Sequence, residues 1–176
     1  MSGKLSSQLR GLIETLDSNR VRFALIGGLA LASHKVIRAT QDIDLLVDFV
    51  DADRLDTLLI DLGYKCLHRS ADAGNYQKND ERIDLLYARR PIAQKLLSTA
   101  VKQTTSFGVL RIVSAEGLIG FKLQAYVNDP RRGQDIDDIR SLIRENYGTI
   151  NMNEVRGYFK VFDQESLLDE LIGRNG

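Results

Sequence analysis

The sequence predicts an α/β fold, with a mixed β-sheet flanked by helices and a helical C-terminal half. Three observations point there. The apolar run Phe23-Ala24-Leu25-Ile26 stops at Gly27-Gly28, the punctuation expected where a strand turns. Two further apolar runs, 43–48 and 82–87, have strand length and are separated by helical patterns. Beyond Val113 the apolar residues recur at helical spacing only.

Taken in order, Leu5, Leu9, Leu12, Ile13 and Leu16 recur at helical spacing, so an amphipathic helix is expected over 6–16. Strands follow over 23–26, 43–48 and 82–87, with further ones near 64–68 and 110–113. Helices are expected over 29–35, 53–62, 92–100, 115–127 and 135–145. After Tyr147-Gly148 come two short helices: Asn151 with Glu154 resembles a capped start for the first, and Gly173 a stop for the second. The stretch 128–133 reads as a loop within the helical half. One structural unit results, with 1–113 as core and 114–176 as a helical part packed on it.

The second strand carries two acids, Asp42-Ile43-Asp44. Side chains alternate along a strand, so both carboxylates share a face while Ile43, Leu45 and Val47 point to the core. Asp-x-Asp arises by chance about once in 400 positions, and the chain has three such pairs. In Asp51/Asp53 one acid is expected to cap the following helix. Asp135/Asp137 lies in a helical pattern, where positions two apart diverge. Only Asp42/Asp44 is set in an apolar strand. Two carboxylates on one enclosed face need a cation to stay ionised, and a hard divalent ion such as Mg²⁺ prefers oxygen ligands. Gly27 and Gly28 let the backbone approach a phosphate that a side chain would block. The pattern suits a metal–nucleotide complex.

A third acid, Asp84, sits within Arg82-Ile83-Asp84-Leu85-Leu86-Tyr87. It is either an edge-strand residue facing solvent, with Arg82 on the same face as its partner, or a further cation ligand.

Composition narrows the partners. Lysine plus arginine and aspartate plus glutamate are 24 each, so no general attraction to nucleic acid exists and any such contact needs a local patch. Arg89-Arg90 and Arg131-Arg132, each next to a proline, are the candidates, against plain solvated loop charge. The single Cys66 excludes a disulfide framework, points to a reducing compartment and is expected as a small apolar filler beside Tyr64. His68 has no partner at zinc-ligand spacing, and His34, at the end of the helix after the glycines, is expected at the surface or as a cap. With no signal-peptide pattern and no membrane-length apolar run, a cytoplasmic location is expected, with no membrane partner.

These residues together carry a resemblance. Ile26-Gly27-Gly28, then Asp42-Ile43-Asp44-Leu45, then Asp84 on a later strand, resemble the DNA polymerase β-type nucleotidyltransferase superfamily. The longer stretch with His34, Arg38 and Thr40 is similar to the AbiEii/MenT-type toxins and related small bacterial nucleotidyltransferases. Downstream, Gly117 to Ala125 resembles that branch's helix with a phosphate-binding lysine, here Lys122, and Gln134 to Leu142 its acidic helix, here with Asp135. Leu29, Lys35 and Gln134 stand where many relatives carry Ser, Gly and a basic residue.

The resemblance implies a nucleotidyltransferase-type sheet and transfer of a nucleoside monophosphate from an NTP to an acceptor. It implies two Mg²⁺ ions held by Asp42, Asp44 and Asp84, which are then also the catalytic residues. Gly27, Gly28, Arg38, Lys122 and Asp135 would serve the nucleotide. The toxin branch implies an RNA acceptor such as a tRNA end, and an antitoxin partner. Other small relatives imply a protein side chain or an aminoglycoside-type molecule. A catalytically silent nucleotide-binding module on the same fold is the alternative to an enzyme.

Overall fold

A computed structural model describes residues 3–105 and 108–173. The chain divides into two compact units, Met1–Ala30 with Ala39–Val113, and Leu31–Arg38 with Ser114–Gly176.

The first unit is built on a seven-stranded sheet of order β3-β4-β5-β2-β1-β7-β6. Strand β1 (Phe23–Leu25) pairs antiparallel with β2 (Asp42–Asp48) and parallel with β7 (Gly108–Ile112). Strand β2 runs parallel to β5 (Glu81–Ala88), and β6 (Val101–Thr105) closes one edge beside β7. On the other side β5 pairs with β4 (Ala73–Lys78) and β4 with β3 (Lys65–Arg69), both antiparallel. The sheet is mixed, as expected. Its acid-bearing strands are interior, so Asp84 is not on an edge strand.

One face of β2 and β5 forms the core. Ile43, Leu45, Val47, Ile83, Leu85 and Tyr87 are all buried there, joined by Tyr76 from β4. The helix α1 (Gly3–Ser18) buries Leu5, Leu9, Leu12, Ile13 and Leu16, the stripe expected from its spacing. After β2 a short 3₁₀ turn, Phe49–Asp51, is capped by the Asp48 carboxylate accepting from Val50 N at 3.3 Å. The helix α3 (Ala52–Asp61) follows with Asp51 at its N-cap position. Here the sequence reading needs correcting: neither acid caps α3. Asp51 turns to Arg54 instead, at 2.7 Å, and Asp53 pairs with Arg69. The helix α4 (Pro91–Thr99) opens on Pro91, whose missing N–H costs nothing in a first turn.

Two strands escape the sequence reading, β4 and β6. In β4 the run Asp72-Ala73-Gly74-Asn75 has turn composition, yet Gly74 is in a strand for a packing reason. A Cβ there would lie 2.5 Å from the Tyr87 hydroxyl oxygen and 2.9 Å from the Tyr76 ring. Cys66 is also placed differently. It lies on the edge strand β3, every residue of which is exposed, and is not an apolar filler.

The helix α2 (Gly27–Ser33) starts at the glycine pair, and its C-terminal part groups with the second unit. That unit packs α5 (Ala115–Asn128) against α6 (Gly133–Glu145) and α7 (Met152–Val161), with α8 (Glu165–Gly173) against α7. Ser114 caps α5 through Gly117 N, and Asn151 caps α7 through Asn153 N and Glu154 N, as its spacing predicts. Gly120 lets α5 approach α7: a Cβ there would stand 3.0 Å from the Tyr158 ring. Leu118, Ile119, Leu123, Ile139, Leu142, Val155, Phe159 and Leu168 form the core. No described helix is long and apolar enough to cross a membrane.

Candidate active site

The acids meet because two parallel strands share a register. Asp44 on β2 stands opposite Asp84 on β5, and Asp42 opposite Arg82. All three carboxylates lie on the face away from Ile43 and Ile83, and all three are half-buried. Like charges placed opposite one another on neighbouring strands repel and weaken the pairing.

The glycine pair sits directly against it. Ile26 N donates to Asp44 O at 3.0 Å, and the chain then turns through Gly27 at φ +63°. A Cβ at Gly27 would overlap the Asp44 carboxylate, and one at Gly28 would lie 2.8 Å from the Thr40 Cβ. Both glycines are therefore required by close approach, of the first to Asp44 and of the second to Thr40. This is a second reason for them, beside the phosphate access read from the sequence. They open a helix, where first-turn N–H groups have no intrahelical acceptor.

Asn75 is the residue that sequence reasoning missed. It is the register partner of Asp84 on β4, and its Nδ2 donates to Asp84 Oδ1 at 2.7 Å. The signal was the alternation of buried Gly74 and Tyr76 with half-buried Asn75 and Gln77, hidden by the turn-like composition of 72–75. Arg82 is exposed on the same face, opposite Asp42, and Asn75 takes the place at Asp84 that Arg82 was expected to fill. At the Asp42 end an open groove of about 420 Å³ is lined by Gln41, Asp42, Gln77, Asp80 and Arg82. All five are polar.

The donor set suits a hard cation in chemistry, with carboxylate oxygens on one face of the sheet. Among the described residues, no group of three or more His, Cys, Asp or Glu side chains is already drawn together as a metal-holding cluster. The fit is one of donor type and register.

In the second unit a separate charge network has formed. Lys122 on α5 lies 3.0 Å from Asp135 Oδ1 and 2.6 Å from Asp138 Oδ2, both on α6. Arg38 reaches the same Asp138 oxygen at 2.6 Å, and Arg132 reaches Asp135 Oδ2 at 2.6 Å. Gln134 Nε2 adds a bond to Asp138 Oδ1 at 3.3 Å. Both acids are buried, at 3% exposure each, and a buried charge is tolerated only when it is paired. Burial pushes the Asp135 carboxyl up, but the hydrogen bonds from Arg132 and Lys122 outweigh it and hold its pKa below the ordinary 3.8. Of the residues expected to serve a nucleotide, Arg38, Lys122 and Asp135 are thus gathered in this unit, and Gly27 and Gly28 with the acids in the first.

The remaining candidates lie elsewhere. His34 follows α2 directly, and its carbonyl accepts from Asn146 Nδ2 at 3.1 Å. His68 is on the edge strand β3, exposed, as the register partner of Asn75. Arg89 stacks on Phe49 at 5.1 Å and donates to Ala71 O, while Arg131 is bound to Asp129 at 2.8 Å.

The architecture is that of the nucleotidyltransferase fold, the fold class expected from the sequence. The antibiotic-resistance factor ANT(2″)-Ia matches with a TM-score of 0.70 at 15% identity, over 100% of both chains. A nucleotidyltransferase-like antigenic protein from Paracoccidioides brasiliensis matches at 0.61 and 20% identity, over 98% of this chain and 93% of that one. The lincosamide adenylyltransferase LnuA, in its lincomycin-bound structure, matches at 0.58 and 16% identity, over 81% and 96%. No family model and no curated protein sequence matches the chain.

Proposed function

We propose that this chain is a nucleotidyltransferase that moves a nucleoside monophosphate from an NTP to a hydroxyl-bearing acceptor. The observation that carries it is the in-register pair Asp44 and Asp84, with Asp42 on the same face and Gly27 packed against Asp44. Opposed carboxylates on two neighbouring strands repel and weaken the pairing. A divalent ion bound between them would offset that repulsion.

Asp42, Asp44 and Asp84 would hold Mg²⁺, two ions by analogy with the superfamily resemblance. When bound, the metal supplies charge neutralisation and polarisation at the reacting phosphate. The protein's own part is orientation. Gly27 and Gly28 bring the chain against Asp44 and Thr40 more closely than a side chain would allow, and the first-turn N–H groups they carry would meet a phosphate. The acceptor oxygen bonds to the α-phosphorus as the bond to the pyrophosphate oxygen breaks. The hydroxyl proton passes to a carboxylate on this face, and pyrophosphate leaves.

For the acceptor, the arginines argue against a phosphate backbone. Three of the four candidates, Arg89, Arg131 and Arg132, are each committed to an intrachain partner, which leaves exposed Arg90 at the start of α4, and the formal net charge is zero. The groove at Asp42 is lined with hydrogen-bonding groups and no aromatic platform for a base. A small hydroxylated molecule suits it. Among proteins of this fold, ANT(2″)-Ia has been seen with adenylyl-2″-tobramycin and LnuA with lincomycin.

The test is label transfer. Purified protein is incubated with each α-³²P-labelled NTP and Mg²⁺, with separate pools of hydroxylated small molecules, tRNA and protein. Label on a small molecule is expected. Label confined to tRNA would return the toxin-type reading with its antitoxin partner, and Mg-NTP binding without transfer would favour the silent module.

A further inference from the structure

Across the sheet Asn75, Asp84 and Asp44 follow one another in a single row, on β4, β5 and β2. The proposed chemistry uses the two acids and leaves Asn75 without a task. Resting on that reading of the acids, we propose that Asn75 is a positioning residue for Asp84. Its side-chain amide anchors Oδ1, so that Oδ2 is presented to a divalent cation on the open face.

Three observations and one general property of the aspartate side chain support this. The bond is short, Nδ2 to Oδ1 at 2.7 Å, with the Asn75 amide N–H₂ as donor. The terminal torsion of Asp is broad, so an unheld carboxylate beside a like charge rotates away from it. Asn75 itself is well anchored: Gly74 and Tyr76 on either side are buried, and the Tyr76 hydroxyl donates to Asp56 at 2.8 Å. Its neighbour on the same face, Gln77, donates to Asn79 O at 2.7 Å instead, leaving Asn75 as the β4 side chain that reaches the acids.

The type of donor matters as much as its place. A lysine or arginine here would neutralise Asp84 and compete with a cation for it. A neutral amide orients the carboxylate and leaves its charge intact. Groups that orient metal ligands in this manner typically change metal affinity or activity by about 10–100-fold when removed.

The experiment measures Mn²⁺ binding to the full chain by electron paramagnetic resonance, without nucleotide, together with kcat and KM for label transfer. Asn75→Ala removes the donor. Asn75→Thr keeps a strand-compatible side chain too short to reach Oδ1, and serves if the alanine variant does not fold. Weaker Mn²⁺ binding by about 10-fold or more, with kcat lowered and NTP KM within about twofold, is expected. Mn²⁺ binding equal to or tighter than wild type in a folded variant would overturn the assignment, even with wild-type transfer intact. Failure of the wild-type protein to transfer label would remove the enzymatic reading alone, since the Mn²⁺ comparison does not depend on turnover.

Discussion

Asp44 and Asp84 stand opposite one another on the parallel strands β2 and β5, half-buried on the face away from the core. Gly27 is packed so closely against Asp44 that no other residue fits beside it in the same conformation. These contacts tie the glycine pair and the acids into one construction, although they lie far apart in sequence.

Asp42→Asn and Asp44→Asn should abolish transfer while leaving a folded protein. Asparagine keeps the shape and removes the charge. A metal clamp contributes several kcal/mol and each 1.36 kcal/mol is tenfold, so a loss of about a thousandfold or more is expected. Label transfer read beside circular dichroism checks it, and near-wild-type turnover in either variant would refute the metal assignment.

Gly27→Ala should damage both stability and activity. The left-handed backbone at φ +63° costs a non-glycine residue roughly 1–2 kcal/mol, and the added methyl displaces the Asp44 carboxylate. Thermal melting and Mn²⁺ binding should both fall. A variant with unchanged Mn²⁺ affinity would show that Asp44 is not a ligand.

Lys122→Ala should destabilise the protein, whatever it does to nucleotide binding. Lys122 is ion-paired to both Asp135 and Asp138, whose side chains are only 5% and 4% exposed. Removing one partner of a buried pair costs about 3–5 kcal/mol, because it strands the other charge. Urea melts of Lys122→Met, Asp138→Asn and the double variant should show coupling above about 1 kcal/mol. Additive effects would place Lys122 outside the network.

Asp135 predicts an acid limit. Its pKa is below the ordinary 3.8 in the folded chain, because the bonds from Arg132 and Lys122 outweigh burial. A depressed carboxylate pKa contributes stability that is fully present above the unfolded value, and this is lost as pH falls through the folded value. Melting temperature should therefore drop below about pH 4, with a smaller drop in Asp135→Asn. An identical pH profile in the two proteins would contradict the assignment.

Much of the fold is legible in residue order. The period of Leu5, Leu9, Leu12 and Leu16, the strand run ending at Gly27, and the Asn151 cap each depend on neighbours a few positions apart. So does the sharing of a face by Asp42 and Asp44, a consequence of strand pleat alone. Other features resist such reading. Gly74-Asn75 looks like a turn because both residues favour turns, and only Tyr76 and Tyr87 explain why a glycine belongs in that strand.

By itself, then, the sequence determined the element types apart from β4 and β6, and the placing of two acids on one strand face. The tertiary structure decided what stands beside what. Register set Asp84 against Asp44 and Asn75 against Asp84, and helix packing brought Lys122 and Arg38 to Asp138. The reason is range: periodicity reports which face a residue occupies, whereas strand register and helix packing join positions that no local pattern connects.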